Sequence, residues 1–102
     1  KVAVFDTGVL ASHADLSGRI LSSDGFNLET NTSGVTTDGH GHGTHVSGII
    51  AANKDGSGMH GVAYNAKIIP YKIFNAAGAF QGSDAKIANV FSRATAKGAR
   101  IF

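Results

Sequence analysis

Cysteine is absent from this 102-residue chain. That excludes disulfides, thiolate metal sites and a cysteine nucleophile, and it leaves the compartment open. Long apolar runs are also missing. No stretch approaches the length needed to span a bilayer, and Lys1-Val2-Ala3-Val4-Phe5 lacks the charged-then-apolar layout of a signal peptide. Charge of one sign is scarce: nine Lys and Arg stand against seven acids, for a net charge of +2. The basic residues are scattered, with no stripe interleaved with aromatics, so nucleic acid is excluded as a partner. Proline occurs once, at Pro70.

What is present belongs to a folded protein. Hydrophobic residues make up 42% of the chain and charged residues 16%, which suits one small core and not a disordered segment. Fourteen glycines point to turns where the backbone goes left-handed or passes close to a neighbour. Val2-Ala3-Val4-Phe5 reads as a strand covered on both faces. Ala99-Arg100-Ile101-Phe102 reads as another strand. Core strands at both ends suggest a piece of a larger domain, whose remainder would be this chain's first partner.

Between those ends, Ile20 to Asn27 is a less regular strand and Asn27 to Gly41 a polar surface loop. From His42 to Asn53, Val46, Ile49 and Ile50 recur at helical spacing. Lys67 to Phe74 is the next strand, although Pro70 within it cannot donate to a ladder. Ser83 or Asp84 caps a second helix with the apolar stripe Ile87, Val90, Phe91 and Ala94, ending at Gly98. Phe74, Ile87 and Phe91 are read as core residues. Strands alternating with helices predict a mostly parallel α/β sheet.

Two segments carry chemistry. Asp6 ends the first strand, where open α/β sheets place their ligands, in an Asp6-Thr7-Gly8 turn. Asp-Thr-Gly also occurs in aspartic proteases, but those are all-β and this chain predicts two amphipathic helices. The second segment, Gly39-His40-Gly41-His42-Gly43-Thr44-His45, opens the first helix. His40, His42 and His45 have the spacing of a zinc-dependent hydrolase. In the metallo-β-lactamase pattern, however, an Asp precedes the last histidine, and Thr44 stands there. A carboxylate and an imidazole together suit a proton-transfer pair awaiting a nucleophile. Glycines 41 and 43 would leave the imidazole unobstructed.

Asp-Thr-Gly-Val after apolar residues, then His13-Ala14-Asp15-Leu16, His42-Gly43-Thr44-His45-Val46-Ser47-Gly48 and Gly61-Val62-Ala63, resemble the subtilisin-like serine proteases in order and spacing. The resemblance spans nearly the whole chain. It implies a three-layer α/β/α fold, incomplete in this chain, with residues 1–102 as the N-terminal part of a catalytic domain. It implies Asp6 and His42 as two members of a catalytic triad, His45 as a packed structural histidine, and His40 as loop. Gly78, Ala79 and Phe80 correspond to an edge that pairs with an extended polypeptide substrate, for which an ordinary loop is the plain alternative. Asp15, Asp55 and the carbonyls of Asn53, Ser57 and Met59 match a family calcium site, although a simple turn is the favoured reading there. No cofactor is implied for the chemistry, and a secreted or extracytoplasmic location is implied. None of the nine serines sits in the Gly-Thr-Ser-Met-Ala setting the family uses, so the isolated chain is expected to be inactive. A protease-like binding module without a nucleophile is the non-enzymatic alternative.

Overall fold

A computed structural model describes residues 1–102. The elements are β1 (Val2–Asp6), β2 (Phe26–Asn27), β3 (Thr32–Ser33), α1 (His42–Ala51), β4 (Ile68–Lys72) and α2 (Asp84–Ala96), with short 3-10 turns at Ala14–Leu16 and Ser22–Asp24. The sheet order is β1-β4-β2-β3. β4 pairs in parallel with both β1 and β2, and β3 pairs antiparallel with β2. Ile101 bridges Val2 in parallel.

Alternation along the strands sends side chains to two cores. Ala3, Ile69, Tyr71 and Ile73 pack with Val90 and Ala94 of α2. Val2, Val4 and Ile68 pack with Ala51 of α1. One helix therefore covers each face of the sheet, and the three-layer α/β/α arrangement is present. α1 meets the sheet through Gly43, Ser47 and Ala51, all buried, at four-residue spacing on one helix face. Small side chains there let the helix axis approach closely. The Ser47 hydroxyl is fully buried and has no hydrogen-bond partner.

The expected strand over Ile20 to Asn27 is split. Ile20 bridges Ile68 and Phe26 pairs with Tyr71, and the 3-10 turn at Ser22–Asp24 bulges out between them. Leu21 N–H bonds the Ile68 carbonyl and Leu28 N–H bonds the Lys72 carbonyl, so alternate residues of β4 face this strand. Pro70 falls where that neighbour has turned away. Its missing donor thus costs no ladder bond, and a proline is tolerated in an interior strand. The polar loop after Asn27 holds a small hairpin with β3, and Asn27 and Thr36 are buried within it.

Three further expectations need correction. Ile49 is 57% exposed, because it turns away from the face carrying Gly43, Ser47 and Ala51. Phe91 keeps 42% exposure; its ring stacks on Phe5 at 4.6 Å and meets Phe102 at 5.4 Å, at the margin of the sheet. Phe74 and Ile87 are half-buried against the α2-side core. The final strand amounts to a single bridge at Ile101, with Ile101 and Phe102 both exposed. α2 is capped by the Ser83 hydroxyl, which accepts from Lys86 N–H, and its end is followed by Gly98 at φ +93°. No helix is long and apolar enough to cross a membrane.

Candidate active site

β1 delivers Asp6 to the edge of the sheet, and the Asp6 carbonyl accepts from Ile73 and Phe74 N–H, which ties it to the segment after β4. Its carboxylate is mostly buried, accepts from Thr7 N–H at 2.7 Å, and meets His42 at the first position of α1. Nδ1 of His42 lies 2.8 Å from Oδ1 and 2.9 Å from Oδ2 of Asp6. With both acceptor oxygens at Nδ1, that atom carries the proton, and Nε2 is left as the base. The histidine side chain is 62% exposed, against 13% for the aspartate. A buried anion orients an accessible imidazole.

Glycines 41 and 43 meet backbone constraints of their own. Gly41 has φ +109°, and a Cβ there would meet nothing within 4 Å; the constraint is the left-handed turn into the helix. A Cβ on Gly43 would lie 2.1 Å from the Gly8 carbonyl oxygen and 3.2 Å from Cβ of Asp6. Gly43→Ala must therefore push α1 off the end of β1. This substitution is expected to destabilise the fold by about 1–3 kcal/mol. Thermal melts measure the effect, and an equally stable variant would contradict this account.

The same corner contains two residues that sequence reading missed. The carboxylate of Asp38 accepts from Thr7 Oγ1 (2.8 Å), His40 N–H (3.0 Å) and Gly41 N–H (2.9 Å) at Oδ1. At Oδ2 it accepts from Thr44 N–H (3.0 Å) and Thr44 Oγ1 (2.6 Å). Partial burial pushes this carboxyl up, but the donors of Gly41, His40 and Thr44 together hold it far below the usual carboxylate range. Thr7 Oγ1 also accepts from Gly43 N–H at 2.9 Å. The available signal was a helix starting after Gly41, which has no side chain to cap it, with an acid a few residues upstream.

The other predicted residues fall elsewhere. His40 is exposed, with its ring 6.4 Å from that of His42 and edge-on. His45 is exposed too, not packed: two positions beyond Gly43, it lies across the helix from the buried face. Nδ1 of His42 is already engaged by Asp6, and no three His, Cys, Asp or Glu side chains are grouped to hold a metal. The three-histidine zinc reading therefore has no geometric support. An open groove of about 420 Å³ runs along the outer side of α1, lined by Leu10, His13, His45, Ile49 and Met59 among others. Asp6 and His42 are not part of its lining.

Gly78, Ala79 and Phe80 are exposed, as a docking edge requires, yet part of their backbone is already used. Ala79 N–H donates to Asn75 Oδ1 at 2.9 Å, and the Ala79 carbonyl accepts from Asn75 N–H at 3.0 Å. Phe80 bridges Phe74. Asp55 Oδ1 accepts from Ser57 N–H at 3.1 Å, the bond that forms the expected turn. The two Asp15 carboxylate oxygens lie 2.7 Å from where a Cβ on Gly58 would stand.

A mostly parallel sheet between two helices, with a carboxylate at a strand end held on an imidazole at a helix start, defines an α/β protein equipped for proton transfer. A family model described as the Subtilase family matches residues 1–102, and the chain belongs to that family. It is 43% identical over 101 residues to the cell wall-associated protease of Bacillus subtilis (strain 168), covering 98% of this chain and 11% of that one. It is 43% identical over 84 residues to the intracellular serine protease of Paenibacillus polymyxa, covering 79% of this chain and 25% of that one. The crystal structure of fervidolysin from Fervidobacterium pennivorans, described as a keratinolytic enzyme related to subtilisin, superposes with a TM-score of 0.80 at 39% identity. That match covers 97% of this chain and 16% of the fervidolysin chain. The chain thus spans a quarter or less of each of these proteins.

Proposed function

We propose that residues 1–102 form the N-terminal part of a subtilisin-like peptidase domain and that the complete protein is a serine endopeptidase. The observation that carries this reading is the contact of Asp6 with Nδ1 of His42. His42 Nε2 takes the proton of a serine hydroxyl supplied from outside these residues, and the serine oxygen attacks the scissile carbonyl carbon. The imidazolium then returns its proton to the departing amine, leaving an acyl-enzyme that water hydrolyses by the same route in reverse roles. Asp6 fixes the tautomer and stabilises the imidazolium throughout. Neither Asp6 nor a metal changes its bonding partners in these steps.

The substrate is an extended polypeptide, and the exposed Gly78–Phe80 edge is its proposed binding strand. The Asn75 contacts leave Gly78 C=O and the Phe80 backbone groups for that role. The chemistry needs no cofactor. Calcium held by Asp15 and carbonyls of the 53–59 loop would supply a cross-link only, with Asp55 contributing where its turn allows. A secreted or extracytoplasmic location is consistent with the cell wall-associated relative, and the intracellular relative makes it a matter for fractionation. A fluorophosphonate that modifies activated serines should label the complete protein and leave the 102-residue chain unlabelled. Labelling of the short chain would overturn the missing nucleophile. A complete protein that is neither labelled nor active on peptides would be the binding module instead.

A further inference from the structure

We propose that Asp38, acting with Thr7, is the positioning residue that sets the approach of His42 to Asp6; the proposal rests on the peptidase reading above. One carboxylate joins three pieces of chain. It holds Thr7, the residue directly after Asp6, it holds the His40 and Gly41 amides of the turn before α1, and it holds Thr44 in the first turn of α1. Two of its donors extend the network. Thr7 Oγ1 accepts from Gly43 N–H, and Thr44 Oγ1 accepts from Leu10 N–H at 2.9 Å.

Asp6 is therefore one residue from an anchored position, and His42 lies between two, Gly41 and Gly43. The backbone of both members of the pair is fixed before their side chains meet. The network also replaces the cap that Gly41 cannot provide: Gly43 and Thr44 N–H, two of the orphan donors of α1, are satisfied by Thr7 and Asp38. An acceptor-only carboxylate is required. Five donors converge on it, and an Asn at this position would offer one carbonyl oxygen and turn an NH2 group toward other donors. Because a displacement near 1 Å costs about 100-fold in rate, loosening this corner should appear in turnover, not in substrate binding.

The test uses the complete enzyme with Asp38→Asn, Thr7→Val and Thr7→Ser. Asp38→Asn is expected to lower kcat roughly 10- to 100-fold with KM within twofold, and to broaden or abolish the proton resonance of His42 Nδ1–H in NMR spectra. Thr7→Val keeps shape but loses the hydroxyl, and should reproduce both effects more weakly. Thr7→Ser keeps the hydroxyl and should restore both. If Asp38→Asn does not fold, the Thr7 pair alone decides the matter. Variants that lose thermal stability but keep kcat and the Nδ1–H resonance would overturn the positioning role. Failure of the peptidase reading is recognised separately, because the unmutated enzyme would then hydrolyse no peptide.

Discussion

In the complete enzyme, His42→Ala is expected to reduce kcat by about a millionfold while leaving the thermal transition nearly unchanged. The imidazole is the only base in contact with Asp6, and no neighbour can replace it. His40 is edge-on and more than 6 Å away by ring centroids (6.4 Å), and His45 projects from the other side of α1. Folding should tolerate the change because the side chain is mostly exposed. The Asp6 carboxylate also keeps its bond from Thr7 N–H. Initial rates on a chromogenic peptide, with a melting curve on the same sample, measure both effects. A variant within tenfold of the parent enzyme would remove His42 from the mechanism.

Asp6→Asn is expected to lower kcat by about 10⁴, with KM little changed, and for a different reason. The amide fits the same space and its oxygen can still accept from Thr7 N–H. Its NH2 group, however, favours an unprotonated Nδ1 and so puts the proton on Nε2, the atom that must accept from serine. The ring stays in place in the wrong tautomer. Steady-state kinetics separate this from a packing defect, which would also raise KM or lower the melting temperature. Retention of more than a tenth of the parent kcat would show that Asp6 is not the orienting group.

Asp6 and His42 stood out in the sequence as a polar residue ending an apolar strand and an imidazole opening an apolar helix, but that setting left a plain turn and two other histidines open. The resemblance to the subtilisin-like proteases singled out this pair, and the structure brings the two side chains together. Asp38 was only half hidden: its bonds to His40, Gly41 and Thr44 are local, an acid before a helix that begins after a glycine, whereas its hold on Thr7 is tertiary and leaves no mark in the sequence. The broken strand opposite Pro70 escaped for a related reason. Apolar content alone cannot register where a neighbour bulges away, and the proline that looked like an obstacle marks that place. Helical periodicity reports a stripe's existence but not its width, so it does not fix that Ile49 and Phe91 stay exposed. Small residues make the closest contact of α1 with the sheet, and Val46 and Ile50 pack half-buried beside them.

The strand order has a kinetic consequence. β4 lies between β1 and β2 although it follows both in the chain, so until it arrives β2 has only its short hairpin with β3 and β1 has neither neighbour. Nearly all the sheet is made of long-range partners, a topology that closes large loops before any ladder repays the entropy. The Asp6 carbonyl gains its bonds from Ile73 and Phe74 N–H only with that late insertion. Until then the nascent chain exposes unpaired strand edges, and competition between insertion and self-association sets the yield of folded protein.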